Sequence, residues 1–133
     1  MLRSLPLALV LALPAAAAQA NDCADAQTTA EMLQCAGARY DAADAGLNDA
    51  YKLARDAARE ADDLNNEDAD SGAVHHLREA QRAWIQLRDA DCVLAGFPFR
   101  GGTMETVLVT HCLADMTEKR TRDLRDIALD LGY

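Results

Sequence analysis

Apolar residues recur at spacings of three and four along most of the chain, which is the period of an amphipathic helix. The first such segment opens at Thr28, which forms a Thr-x-x-Glu capping box with Glu31. Its apolar stripe is mostly alanine and consists of Leu33, Ala36, Tyr40, Ala43, Leu47, Ala50, Ala54, Ala57, Ala61 and Leu64. The pattern therefore predicts a long helix that a neighbour approaches closely, with little apolar area buried per residue.

Two further helices are predicted after a polar reversal at residues 65–72. The second is expected to end near Ala95 and to bury Leu77, Ala80, Trp84, Leu87 and Leu94. A glycine-rich loop spans residues 96–102, and Thr103 is the expected cap of the third helix. The third helix is expected to end before Gly132 and to bury Val109, Leu113, Met116, Leu124 and Ile127.

No segment alternates polar and apolar residues long enough to predict a strand, so the expected fold is all-α. Short connections favour an antiparallel three-helix bundle in up-down-up order. The main variant is a long, opened helical hairpin that the third helix covers only in part.

The N-terminal segment 1–20 has the features of a secretory signal: Arg3, an apolar run to Leu13, and a small-residue site that predicts cleavage near Ala20. Residues 21–133 would then form one helical domain, periplasmic or secreted. The apolar run is shorter than the about 20 residues that span a bilayer. Because Cys23 does not directly follow the cleavage point, lipid attachment is disfavoured, and no stable membrane anchor is expected.

The chain is acidic, with a formal net charge of −9 that becomes one unit more negative when the signal and Arg3 are removed. This charge argues against nucleic acid and anionic membranes as partners. It favours a cationic protein partner, although acidity also keeps an exported protein soluble.

All four cysteines lie in the predicted exported domain, where an oxidising compartment favours two disulfides. Three pairings are possible, and we favour Cys23 with Cys35 and Cys92 with Cys112, because each would tie neighbouring segments at an element boundary. A metal site is the alternative, but spacings of 12 and 20 residues do not resemble the close cysteine pairs of zinc sites. No cofactor is expected.

A mixed polar and aromatic face on the second helix carries Gln81, Trp84 and Arg88. A buried guanidinium needs partners, and Asp44 and Asn48 share one face of the first helix. We therefore expect a buried Asp44–Arg88 pair, with Gln81 and Asn48 completing its hydrogen bonds. The alternative is that this polar cluster is a binding or catalytic site.

The loop at 96–102 contains both phenylalanines, Phe97 and Phe99, beside Arg100, and the Cys92–Cys112 disulfide would brace its base. Aromatic and arginine side chains on a braced loop favour partner binding. The alternative is that at least one phenylalanine packs back onto the end of the bundle. No nucleophile or metal motif surrounds His75, His76 or His111, so the protein is not expected to be an enzyme.

Residues along most of the predicted domain match one known family. These are Thr28, Glu31, Met32, Cys35, Ala36, Tyr40, Ala43, Asp44, Leu47, Asn48 and Tyr51, then 81–85, 88–90, Cys92, Gly101 and Gly102, and finally Cys112, Leu113, Thr117, Arg120 and Leu124. The chain resembles the lysozyme inhibitor LprI-like domain of exported bacterial proteins. The resemblance implies a non-enzymatic protein that binds a lysozyme, and lysozymes are commonly basic. The alternative is an envelope module that binds another protein or a cell-wall component without any role toward lysozyme.

Overall fold

Three long helices make up nearly all of the described chain. A computed structural model describes residues 23–132, with α1 at Thr29–Asn65, α2 at Ala73–Gly96 and α3 at Thr103–Leu131. A 3-10 turn, η1, occupies Phe97–Phe99. No strand is present within residues 23–132, and the predicted all-α fold is confirmed. The predicted signal segment 1–20 lies outside the described residues.

The capping box at the start of α1 forms as predicted. The Glu31 N–H donates to Thr28 Oγ1 at 3.2 Å, and the Thr28 N–H donates to Glu31 Oε2 at 2.9 Å. At the other end, Asn66 takes a left-handed conformation with φ of 55° and closes the helix. The polar segment 65–72 therefore reverses the chain as expected.

The helices follow one another in up-down-up order. Arg39 on α1 pairs with Glu118 on α3, and Gly46 lies beside Thr121, so α1 and α3 run parallel and pack along much of their length. Helix α2 runs antiparallel to both and contacts α3 more than α1. The bundle is thus built on the α1–α3 pair, and the α1–α2 hairpin is its looser part.

The core lies where the C-terminal half of α1 meets the start of α2 and the end of α3. It is formed mainly by small residues of α1 with three leucines: Leu47, Ala50, Ala54, Ala58, Leu77 and Leu124. The predicted alanine-rich face of α1 is confirmed at Ala36, Ala43, Leu47, Ala50 and Ala54, whereas Leu33 and Leu64 at its ends are exposed.

The predicted buried face of α2 is wrong along its C-terminal half. Leu87 and Leu94 are 56% and 67% exposed, and the buried positions are Arg88, Cys92 and Gly96. The physical reason is that the Cys92–Cys112 disulfide turns the opposite side of α2 toward α3. Ala80, in the N-terminal half of α2, is exposed as well.

On α3 the predicted burial of Leu124 is confirmed, but small and polar residues replace the other predicted large ones. Its buried residues are Val107, Ala114, Thr117, Thr121 and Leu124, while Val109, Leu113, Met116 and Ile127 are only partly buried. The N-cap is Gly102, and Thr103 is the first helical residue rather than the cap. Close packing of α3 on two neighbours favours small side chains at the points of contact.

Both predicted disulfides are confirmed. Cys23–Cys35 joins the chain before α1 to its second turn, and Cys92–Cys112 joins α2 to α3, with Cα–Cα distances of 5.6 and 5.3 Å. All four cysteines are thereby used, and none is a metal ligand. Within residues 23–132, no helix combines the length and apolarity that a membrane crossing requires.

Candidate partner-binding site

The segment 96–102, here called the braced loop, connects α2 to α3 at one end of the bundle. Gly96 is buried against α3, where an added Cβ would lie 2.6 Å from Val109 Cγ2 and 3.0 Å from the Glu105 carbonyl oxygen. Only glycine permits so close an approach. The Cys92–Cys112 disulfide, one turn earlier, holds the same two helices together.

Hydrogen bonds fix the rest of the braced loop. The Arg100 N–H donates to the Phe97 carbonyl at 3.1 Å, and the Gly102 N–H donates to the Phe99 carbonyl at 2.9 Å. Gly101 has φ of +83°, which favours glycine, and its N–H donates to Glu105 Oε2 at 2.7 Å. The loop is therefore shaped by its own backbone and by the first turn of α3.

Both phenylalanines of the braced loop face solvent. Phe97 and Phe99 are 54% and 52% exposed, so neither is packed away beneath the end of the bundle. The Arg100 guanidinium carbon lies 5.0 Å from the centre of the Phe97 ring, within the range of a cation–π contact. The loop presents two aromatic rings and one cation to solvent on a fixed backbone, which is a suitable anchor for a protein partner.

A second constellation surrounds the only tryptophan, and we call Tyr40, Gln81, Trp84, Arg88 and Arg120 the Trp84 cluster. The guanidinium carbons of Arg88 and Arg120 lie 5.1 and 6.0 Å from the Trp84 ring, and that of Arg88 lies 5.8 Å from the Tyr40 ring. Gln81 Oε1 accepts a hydrogen bond from Arg120 Nε at 3.1 Å. The cluster joins all three helices through cation–π contacts and one hydrogen bond.

The expected ion pair between Asp44 and Arg88 is wrong. Arg88 is buried, but it donates from Nε and Nη2 to Asp89 Oδ1, at 2.9 and 2.8 Å. Asp44 instead accepts a hydrogen bond from Asn48 Nδ2 at 3.2 Å. Asp89 is adjacent on the same helix and can follow Arg88 without leaving solvent, so its carboxylate loses less hydration than that of a buried Asp44 would.

The fold thus brings together Gln81, Trp84 and Arg88. A separate pair on α1 is formed by Asp44 and Asn48. Sequence reasoning missed Arg120 as a member, because it lies 39 positions from Gln81 and its role depends on how α3 packs. Burial lowers the pKa of Arg120, partly opposed by the charge of Asp123. Thr117 Oγ1 and Arg120 Nη2 are buried without a hydrogen-bond partner among the described residues.

The opposite end of α2 is strongly acidic. The acidic turn, residues 62–70, contains Asp62, Asp63, Glu67, Asp68 and Asp70, and no lysine or arginine occurs between Arg59 and Arg78. Hydrogen bonds from the Ser71 hydroxyl and from the N–H groups of Asp70 and Ser71 hold the pKa of Asp68 below its usual value. Within residues 23–132 no set of acidic, histidine or cysteine side chains is arranged to hold a metal ion. The turn is therefore a concentrated patch of negative charge.

An open groove between α1 and α3 has a different character. Arg39, Arg122 and Arg125 line it together with Glu118 and small residues. Arg39 is engaged by Glu118 and Asp115, each at 2.7 Å, and the Glu118 hydrogen bond raises the pKa of Arg39. Arg122 and Arg125 are exposed and make no ion pair within the described part of the chain. The groove is a local basic surface on an acidic protein.

One family model matches most of the chain. The family model described as lysozyme inhibitor LprI matches residues 20–124, which include all four cysteines, the Trp84 cluster and the braced loop. The chain is 45% identical over 128 residues to the uncharacterized protein R02472 of Rhizobium meliloti (strain 1021), an alignment that covers 93% of this chain and 91% of that protein. No solved structure is significantly similar to the chain. The family match over most of the chain, with the two disulfides and the helical fold it accompanies, shows that this protein belongs to the LprI lysozyme inhibitor family.

Proposed function

We propose that this protein is exported to the periplasm or beyond after cleavage near Ala20, and that it inhibits lysozyme-type muramidases by binding them directly. Membership of the LprI family supports the choice of target. The observation that carries the proposal is the braced loop, in which Phe97 and Phe99 are exposed on a backbone that a disulfide, a glycine contact and hydrogen bonds hold in place. A rigid aromatic anchor binds at low entropic cost.

In this proposal the braced loop contacts the enzyme directly, and the net negative charge speeds the diffusional encounter with it. The acidic turn and the braced loop lie at opposite ends of α2, a 24-residue helix and therefore roughly 36 Å apart at about 1.5 Å per residue. A small partner cannot touch both at one local contact. The acidity of the whole chain, with a sequence pI near 4.6, therefore acts by steering a basic enzyme over longer range.

Muramidase assays with the oxidised, signal-free protein test the proposal. We expect inhibition of chicken-type or goose-type lysozyme at micromolar concentration, with an association rate that falls as salt is added. Replacing both Phe97 and Phe99 with alanine should raise the inhibition constant at least about tenfold, as loss of an aromatic anchor does at other interfaces.

Leu53→Ala is the matched control, because Leu53 is a similarly exposed apolar residue on α1, 57% accessible and outside the loop. Its inhibition constant should be unchanged. Absence of inhibition toward both enzyme types would remove the proposal, and equal effects of the loop and control variants would remove the assigned site.

A second function, binding of an anionic envelope or cell-wall component without a role toward lysozyme, is favoured by the basic groove at Arg122 and Arg125. Carboxylates of a wall peptide are suitable ligands for paired guanidinium groups. Retention on purified cell wall that is lost in Arg122→Glu/Arg125→Glu and kept in the loop variant would support this second function. Recovery of one other envelope protein in repeated pull-downs would support a protein partner instead.

A further inference from the structure

Helix α2 carries a second apolar stripe on the face turned away from α1 and α3. The α2 stripe alternates spacings of three and four residues and consists of Ala80, Ala83, Leu87, Ala90, Leu94 and Phe97. All six are exposed, and the three large members are 54% to 67% accessible. Phe97 retains a helical backbone, with φ of −56° and ψ of −37°, so the stripe continues past the end of α2. This is the spacing of a helix that packs against another helix.

The order of large and small residues in the α2 stripe has a particular symmetry. An antiparallel copy related by a two-fold axis at the level between Arg88 and Asp89 would bring Leu87 level with Ala90 of the second copy. The same axis places Leu94 level with Ala83, and Phe97 level with Ala80. Every large side chain then meets an alanine, whereas parallel, in-register pairing would oppose leucine to leucine and phenylalanine to phenylalanine. Alternating large and small residues is how facing helices fill space without voids.

We propose that two copies of this protein associate through the α2 stripe in this antiparallel register. A two-fold axis makes the interface self-complementary, so all three layers occur twice. Each end of this interface also brings a cation toward a carboxylate. Arg100 lies over the Phe97 ring, and that ring lies level with Ala80 of the second copy, next to Glu79, whose half-exposed carboxylate also pairs with Arg78 and Arg82 of its own helix.

The interface is small. Eighteen residues of helix extend about 27 Å at about 1.5 Å per residue, which places the contact at the low end of specific interfaces. The net charge of each chain, −9 with the predicted signal and one unit more negative without it, also opposes association. The dimer is therefore reversible, with a dissociation constant in the micromolar range rather than below it.

Self-association goes beyond the proposed inhibitory function, although Phe97 belongs to both surfaces. In the dimer Phe97 packs on Ala80 of the second copy, while Phe99 stays outside the stripe. Substitutions at positions 87 and 90 leave the braced loop intact. They therefore test the dimer without removing the residues proposed to contact a muramidase.

The test measures the dimer dissociation constant by sedimentation equilibrium of the oxidised, signal-free protein, from about 1 µM to about 1 mM. Leu87→Ala leaves a gap opposite Ala90, and Ala90→Leu opposes two leucines, so each should weaken the dimer at least about fivefold. The double variant Leu87→Ala/Ala90→Leu exchanges large and small within the same layer. It should restore the dissociation constant to within about twofold of the original.

Leu87→Glu should abolish the dimer, and Leu53→Glu should leave it unchanged, because Leu53 is equally exposed but lies on α1. Both leucines are solvent-facing in the monomer, so thermal melting of dilute samples should show both variants folded. A protein that stays monomeric throughout the concentration range would overturn the proposal and leave the stripe to a different partner. A dimer whose dissociation constant is unchanged by Leu87→Glu would overturn the proposed interface. Failure of the double variant to restore the dissociation constant would overturn its register.

Discussion

Arg88 shows how a single residue can be predicted correctly in burial and wrongly in partner. Its spacing from Gln81 and Trp84 indicated a buried face, and the side chain is only 8% exposed. Neighbours at i and i+1 on a helix do not normally face each other, so Asp89 was not an obvious partner. The guanidinium nevertheless reaches Asp89, while its central carbon lies 5.1 Å from the centre of the Trp84 ring.

In this geometry, most of what Arg88 contributes to folding stability comes from its packing and from its contacts with the aromatic rings. We expect Arg88→Ala to lower the free energy of unfolding by about 2 to 3 kcal/mol, through lost packing and lost cation–π contacts. Asp89→Ala should cost less, about 1 to 2 kcal/mol, because its own carboxylate is largely in solvent, although its removal leaves the buried guanidinium without this partner. Urea denaturation of both variants measures the two values, and equal losses would show that the ion pair matters more than the stacking.

At the scale of elements, the helices pack at distances set by residues without large side chains. Alanines line the buried face of α1, and Gly96 brings α2 against the start of α3. The N-terminus of α2 depends on another helix, because its N-cap Gly72 offers no side chain and Asp62 of α1 accepts the N–H groups of Ala73 and Val74. Such a cap cannot be identified from local sequence, since the acceptor lies eleven positions before the first residue of the helix it caps.

Two glycines give opposite expectations for the same substitution. Gly96→Ala should lower the free energy of unfolding by about 1 to 3 kcal/mol, because the new methyl group would overlap Val109 and the Glu105 backbone. Gly37→Ala, within α1, has nothing within 4 Å of the added Cβ and should raise it by roughly 0.5 to 1 kcal/mol through helix propensity. Urea melts of both variants give the sign, and a stabilising Gly96→Ala would contradict the close approach of α2 and α3.

The start of α1 should depend on pH. Hydrogen bonds from the N–H groups of Thr28 and Gln27 and from the Thr28 hydroxyl lower the pKa of Glu31 below the ordinary value of 4.5. A lowered pKa contributes stability that is complete above 4.5 and is lost as the pH falls through the folded value. We expect NMR titration of the Thr28 amide to show a midpoint below 4.5, with fraying of the first turn on protonation. A midpoint at or above 4.5 would show that the capping box does not persist in solution.

The whole molecule has two chemically different ends, with the acidic turn at one and the braced loop at the other. The two disulfides also act at different levels of structure. Cys92–Cys112 joins two long helices beside the braced loop, whereas Cys23–Cys35 holds the short segment before α1. Only the first constrains how the helices are arranged.

Removal of each disulfide should therefore have unequal effects. Cys92→Ser/Cys112→Ser should lower the free energy of unfolding by about 3 kcal/mol, the loop-closure contribution expected for a separation of 20 residues. Cys23→Ser/Cys35→Ser should cost less, because the freed segment gains conformational entropy in the folded state as well as in the unfolded chain. The two gains partly cancel in the free energy of unfolding. Thermal and urea unfolding of the two double variants gives the comparison, and a larger loss at Cys23–Cys35 would contradict this account.

Much of the architecture followed from local properties of the chain. Helical periodicity, the Thr28–Glu31 box and the polar reversal at 65–72 act within a few residues of each other, so they determined the number of helices and their approximate limits. Cysteine position predicted the disulfide pairing, since each bridge joins segments that are close along the chain. The loop residues Phe97, Phe99 and Arg100 could be selected as a binding candidate because glycines and a proline surround them.

Tertiary structure decided which faces are buried and which polar groups meet. Periodicity shows that α2 has two apolar stripes but not which one faces the bundle, and the choice depends on the disulfide to Cys112 and the approach at Gly96. Asp89 rather than Asp44 pairs with Arg88, and Arg120 joins Trp84 and Gln81, because these contacts depend on the rotation and offset of whole helices. Small shifts of a helix change the partners of a long side chain by several residues, and no local pattern in the sequence records them.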